Sequence, residues 1–179
     1  ALNAAQNFVS ADVTVNPGYS ISSLGQRSPI YRNYGLDEGL AAWTSSNRAN
    51  ATGDYIAKLV NGTLSDSNIN STGVVDPRRS NMFSLVGGTV VGNVQGIFPA
   101  TAISRMASFF IGRVGSDANG AARDAYLMLN AESKFLQAEA MQRGYLTGSA
   151  QQAFIDGVTA SFNFYSKPFG TATFTTLDA

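Results

Sequence analysis

The chain has 179 residues, 12 basic and 12 acidic side chains, and only 13% charged residues. So sparse and balanced a charge leaves no electrostatic footprint for nucleic acid. With neither histidine nor cysteine, the chain lacks the usual general base, the commonest zinc ligand, thiol nucleophiles and disulfides.

Freedom from cysteine fits an exported bacterial protein. No apolar run approaches the ~18–20 residues required to span a bilayer. The first residues, Ala1-Leu-Asn-Ala4, have no signal-peptide pattern, the expectation for a chain whose preceding segment has been removed. At this length the chain is one core or one piece of a larger domain.

Within residues 1–15, the alternation of Asp12-Val-Thr-Val15 predicts a short extended segment. Residues 16–52 are rich in Gly, Ser, Asn and Pro, with turn signals at Asn16-Pro-Gly18 and Ser28-Pro29. An irregular stretch of that length is uncommon, and is either functional or disordered. Its four large aromatics, Tyr19, Tyr31, Tyr34 and Trp43, argue for order. A short helix is expected over residues 54–61, after Thr52-Gly53 and ending near Gly62. Residues 61–75 read as a polar, mobile loop, and Asp76-Pro-Arg-Arg79 opens the next ordered stretch.

Residues 76–120 read as irregular structure with short strands. Gly87 to Gly96 alternates small, apolar and polar residues, as a short irregular hairpin would. Its glycines match neither G-x-G-x-x-G between strand and helix nor a G-K-[ST] ending, so no nucleotide loop is expected. Arg105 to Gly112 reads as a second extended piece, and Gly115 to Gly120 as a turn-rich loop. Asp117 and Asn119 in that loop lack the remaining ligand positions of a calcium-binding EF-hand. Asn50-Ala-Thr52, Asn61-Gly-Thr63 and Asn70-Ser-Thr72 match the glycosylation acceptor, as chance supplies in a chain so rich in Asn, Ser and Thr.

Two amphipathic helices follow, over 130–165. Ala131, Phe135, Ala138 and Met141 make one apolar stripe, and its alanines permit close approach of a neighbouring helix. Glu139 and Arg143 stand four apart, acid first, the favourable order for a solvated pair. Gly144 suits a left-handed helix end. Ser149 and Gln152 form the pattern of a reciprocal capping box, and Phe154, Val158, Phe162 and Tyr165 make the second stripe. The product is an αα-hairpin, the unit of TPR-like stacks. Glu132 and Glu139 lie near one helix face, but seven residues is about 10 Å of rise, at or beyond the limit for paired glycosidase carboxylates.

The wording Ala131-Glu-Ser-Lys-Phe-Leu-Gln-Ala-Glu-Ala-Met-Gln-Arg-Gly144, then Phe154 to Phe162, resembles the SusD/RagB-like outer-membrane lipoproteins, in particular the starch-binding, outer-membrane-associated branch. Other motifs fall in the family's order: Asn16-Pro-Gly-Tyr19, Ser28-Pro-Ile-Tyr31-Arg-Asn-Tyr34-Gly35, a short helix over Tyr55–Val60, Asp76-Pro-Arg78, and the glycine-rich Gly87 to Gly96. The resemblance spans about residue 16 to residue 165. Asn130 stands where the family has a threonine or similar helix cap, so the helix is expected to start there, leaving Ala121 to Leu129 extended or irregular. Arg79 departs from the family, which often has an apolar residue after the D-P-R motif.

The resemblance implies a mainly α fold, a TPR-like helical hairpin with long irregular loops and a few short strands, and the C-terminal portion of a larger SusD-like protein. The remaining scaffold, signal peptide and lipidated cysteine are expected upstream. It further implies a non-catalytic, surface-exposed lipoprotein of the cell outer membrane, working in polysaccharide utilisation and nutrient uptake. Such a protein captures oligosaccharide or another nutrient for a SusC-like TonB-dependent transporter. The partners implied are glycan, transporter and membrane, the last through the upstream lipid anchor; no nucleic acid and no cofactor are expected.

Tyrosine and tryptophan offer an apolar ring with a polar handle, so Tyr19, Tyr31, Tyr34 and Trp43, flanked by Gln26, Arg32 and Asn33, are the candidate sugar-contacting residues. Aromatic side chains in loops also serve simply to anchor them. Asp76 and Arg78 are expected to hold a turn through an ion pair or backbone bonds. A protein-interaction module built on the hairpin, with no direct ligand, is the alternative reading. An enzyme is not expected: without histidine or cysteine it would need a carboxylate pair or an S-x-x-K motif, and the chain has no S-x-x-K.

Overall fold

A computed structural model of the chain describes residues 8–97, 102–111 and 118–166. In chain order it contains β1 (Val13–Val15), a 3-10 turn (Leu24–Gln26), α1 (Pro29–Tyr34), α2 (Ser45–Ala49), α3 (Asp54–Asn61), α4 (Arg79–Met82), α5 (Ser108–Ile111), α6 (Ala118–Ala121), β2 (Ala125–Met128), α7 (Asn130–Gln142) and α8 (Ala150–Phe164). The fold is therefore mainly α, with β1 and β2 paired in a two-stranded sheet. Residues 16–125 form one compact unit; the other joins the chain up to Val15 to the chain from Tyr126 onward.

In the first unit, α3 buries Ala57 and Val60 against Val90, flanked by Ile56 and Phe83. Asp54 and Lys58 pair at 2.7 Å across one helical turn, and Gly62 ends the helix in the left-handed conformation at φ 70°. The segment carrying Val90 runs so close to α3 that a Cβ on Gly92 would stand 2.5 Å from Asp54 Cα and 2.8 Å from Ala57 Cβ. Asn61 ties the two together. Its Nδ2 donates to Val90 O at 2.7 Å, and its Oδ1 accepts from the Val90 amide at 3.1 Å and from Arg79 Nη1 at 2.8 Å. The Asn61 acceptor sequence thus encloses a structural carboxamide, and Arg79, the departure from the family pattern, serves it.

The glycine-rich stretch opens on a tight turn. Gly87 and Gly88 both have positive φ, 58° and 83°, as the favoured two-residue hairpin turn requires. Val86 and Thr89 exchange backbone bonds across it at 2.8 and 3.2 Å.

Two expectations change. Within Arg105 to Ile111, Met106 is bridged to Phe83 as an extended residue, but Ser108–Ile111 is helical. A short apolar run is ambiguous between helix and strand by periodicity alone, and tertiary packing decides it: Ala107 and Ile111, one turn apart, are both 2% exposed. The long 16–52 stretch is broken by α1 and α2, each capped by the hydroxyl before it, Ser28 and Thr44. Loop 61–75 closes on itself, with Asp66 Oδ1 accepting from the Asn68 and Ile69 amides at 2.7 and 2.8 Å. Asp117 lies outside the described residues with Gly115 and Ser116, while the end of the expected turn-rich loop, from Ala118, is the start of α6.

In the second unit, α7 and α8 form the expected hairpin. Gly144 is left-handed at φ 72°, and the Tyr145 amide closes α7 on Ala140 O at 2.8 Å. The faces that meet are small rather than large. Ala131, Ser133 and Ala138 of α7 are buried, as are Ala153 and Gly157 of α8, whereas Phe135 stays 36% exposed. Phe154, Val158, Phe162 and Tyr165 are half-buried. The capping box is half formed: Ser149 Oγ accepts the Gln152 amide at 3.2 Å, but the Gln152 side chain turns to Asp156 Oδ1 at 2.8 Å.

Candidate functional site

The aromatic segment is built from Ser28 outward. Its amide donates to Ala121 O at 2.8 Å and its hydroxyl to Gly120 O at 3.2 Å, which fixes the start of α1. Pro29 follows at the first helical position, where its missing N–H costs nothing. Tyr31, one turn on, packs with Leu36 and Ala121 in the centre of a core cluster. A Cβ on Gly35 would meet the Tyr31 ring at 2.8 Å.

Arg27 lies beside that ring, its guanidinium carbon 5.7 Å from the ring centroid. It is 3% exposed and binds three successive carbonyls: Nη1 donates to Leu36 O (3.0 Å) and Asp37 O (2.9 Å), and Nη2 to Glu38 O (3.3 Å). Asp37 Oδ1 in turn accepts from the Ala41 and Ala42 amides. The resulting small loop bridges Leu36 to Trp43, whose indole packs against the Tyr31 cluster while remaining part-exposed.

The four aromatics predicted to contact sugar thus part company. Tyr31 is 1% exposed, so its ring has no face left for a ligand; the burial that anchors α1 excludes it as a contact. Tyr34, Trp43 and Tyr19 are part-exposed. Tyr31 and Trp43 share one cluster, of which Tyr19 is not a member. Tyr19 belongs instead to a turn in which Asn16 Oδ1 accepts from the Gly18 and Tyr19 amides at 3.0 and 2.8 Å. Asn16 Nδ2 holds that turn to Asp124 Oδ1 at 2.8 Å.

The D-P-R motif is structural. Arg78 Nε and Nη2 reach Asp76 Oδ1 and Oδ2 at 3.0 and 2.7 Å, and the Arg78 amide donates to Oδ1 at 2.8 Å. Burial alone would push the Asp76 carboxyl up, but the Arg78 side-chain and backbone bonds and its charge together outweigh it and hold the group below the usual value. Glu132 and Glu139 both face solvent, Glu139 paired with Arg143 at 2.8 Å.

Sequence reading missed a polar cleft in the second unit. About 460 Å³ in volume, it lies along one side of the hairpin and is lined by Asp12, Asn130, Lys134, Asp156, Asn163 and Phe164 among others. Asp12 Oδ1 accepts the Asn130 amide at 2.8 Å, satisfying an orphan donor at the start of α7 in place of the expected cap by Asn130 itself. The partial signal was the spacing of Asn130 with Lys134 and of Asp156 with Asn163, four and seven apart on their helices. No described helix is long and apolar enough to cross a membrane.

The model of a SusD-like family described as starch-binding and associating with the outer membrane matches residues 36–177. No curated protein and no solved structure matches the chain. The family match takes in the Arg27-bound loop, the D-P-R motif and the whole α7–α8 hairpin. The chain belongs to this SusD-like family of starch-binding, outer-membrane-associated proteins.

Proposed function

We propose that the protein captures oligosaccharide at the cell surface without catalysis and hands it to a SusC-like TonB-dependent transporter. Outer-membrane attachment runs through a lipid anchor upstream of this chain. The observation that carries the reading is the family match over residues 36–177. It is supported by the part-exposed Trp43, Tyr34 and Tyr19, which are mounted on capped turns rather than on slack loops. Rings fixed in this way stack on the apolar face of a sugar at small entropic cost. Leu127, Leu136 and Tyr145, at 68%, 51% and 60% exposure, give the second unit apolar surface suited to a protein partner, which in this reading is the transporter.

Calorimetric titration and a glycan array on the full chain test the proposal. Binding of an α-glucan oligosaccharide, weakened on Trp43→Ala and unaltered by Tyr145→Ala, is the expected result. Turnover of the glycan, or the absence of any glycan binding with intact folding, overturns it.

A further inference from the structure

The cleft on the α7–α8 hairpin gathers polar groups whose hydrogen-bonding capacity is only partly used. Asn130 lines it, and the Asn130 Oδ1 is buried without a hydrogen-bond partner among the described residues. A buried acceptor left unpaired costs about 1–3 kcal/mol, which a ligand donor would recover. Lys134 is half-buried and forms no ion pair among the described residues, although Asp12 and Asp156 line the same cleft. Each of those carboxylates commits one oxygen, Asp12 Oδ1 to the Asn130 amide and Asp156 Oδ1 to Gln152 Nε2, and the other oxygen of each accepts nothing among the described residues. The Asn163 carboxamide is exposed and likewise unengaged. Phe164 is a further lining residue, its ring set edge-on to Tyr126 and Tyr165 at 5.2 and 5.0 Å.

These groups select a ligand by elimination. An anionic ligand would find one lysine but two carboxylates. A cationic one would meet Lys134 at close range. A neutral polyol suits all of them: its hydroxyls accept from Lys134, donate to the free oxygens of Asp12 and Asp156, and satisfy the Asn130 and Asn163 carboxamides whichever way each amide is turned. Its C–H face packs on the Phe164 ring. The volume falls within the range of about 300–1,000 Å³ typical of small-molecule sites.

We infer that the cleft formed by Asp12, Asn130, Lys134, Asp156, Asn163 and Phe164 is a binding site for a neutral sugar unit, separate in sequence and composition from the aromatic segment around Trp43. The inference rests on the capture reading for the source of its ligand, while its geometry stands apart from that reading.

Methyl α-glucoside titrated into the isotopically labelled full chain, followed by amide and side-chain NMR shifts, tests it. The expected result is saturable shifts at Asp12, Asn130, Lys134 and Asn163. Lys134→Met and Asn163→Leu should each weaken binding about tenfold, as loss of a hydrogen bond to a charged or paired polar group does, and Trp43→Ala should leave it unchanged. Dispersed spectra identify variants that remain folded. Shifts confined to the surroundings of Trp43, or no monosaccharide shifts where a longer glucan still binds by calorimetry, overturn the cleft and leave the capture reading standing. No binding of either sugar overturns both. Stronger cleft shifts with glucuronate or glucosamine than with the neutral glucoside overturn the assignment of ligand class.

Discussion

The ring of Phe135 in α7 rests on the backbone of Gly157 in α8, so that a Cβ at residue 157 would stand 2.8 Å from Phe135 Cε1. Phe135 also lies 5.5 Å, centroid to centroid, from Phe154, which bounds one side of a ring that is otherwise 36% exposed. A glycine in mid-helix is thus the means by which a large side chain at the rim of the hairpin finds a seat.

Gly157→Ala sets two magnitudes against each other. Alanine favours the helix by about 1 kcal/mol, whereas forcing a methyl into packed space costs about 1–3 kcal/mol. The variant is expected to lose about 1 kcal/mol in chemical denaturation. In a Phe135→Leu background the obstruction is gone, and Gly157→Ala is expected to stabilise by up to about 1 kcal/mol. A double-mutant cycle without that change of sign would show that the ring yields freely.

Arg27 holds the loop that leads to Trp43 through three carbonyl contacts. Arg27→Met leaves those acceptors without their donor, in a site where Leu36 is 2% exposed. The expected loss is about 2–4 kcal/mol of stability. Arg27→Lys is expected to recover only part of it, because an ammonium cannot reproduce the planar fork. Denaturation midpoints measure both, and tryptophan fluorescence, from the single Trp43, reports the loop directly.

Asp76 makes stability depend on acid. Its folded-state carboxyl titrates below the ordinary value, so the unfolded chain binds the proton first as pH falls. The contribution is present above the unfolded pKa and is lost as pH falls through the folded one. Asp76→Asn is expected to cost about 1.5–3 kcal/mol at neutral pH, the worth of a charge-assisted bond. The gap to wild type should shrink in the acid range below about pH 4. A constant gap from neutral to acid pH in urea titrations would mean that the Arg78 pair contributes nothing.

Gly62 combines a positive φ of 70° with contact on the backbone of Val74, whose carbonyl carbon would lie 2.7 Å from a new Cβ. Backbone moves less readily than a ring. Gly62→Ala is therefore expected to lose about 2–4 kcal/mol, the sum of left-handed strain and overpacking, which thermal denaturation would register.

Local chemistry by itself determined the elements whose cause lies within a few residues. The left-handed Gly144, the Ser149 cap, the stop of α3 at Gly62 and the Asp76–Arg78 turn all rest on interactions across about five residues or fewer. Periodicity could not separate helix from strand over Ser108–Ile111, because a four-residue apolar run fits both. Nor could it say which stripe is buried: Ala153 and Gly157 meet α7 while Phe154 and Val158 flank the contact, since close helix approach favours small residues over large ones. Among the candidate aromatics, Tyr31 and Trp43 look equivalent in sequence, yet the Ser28 bonds to Gly120 and Ala121, 92 and 93 residues away, send Tyr31 into the core. The cleft was hidden for the same reason. Lys134 and Asn163 are ordinary helix-surface residues until the hairpin folds and Asp12 caps an amide 118 residues distant. Burial and unpaired donors or acceptors are properties of surroundings, and long-range packing alone supplied those surroundings.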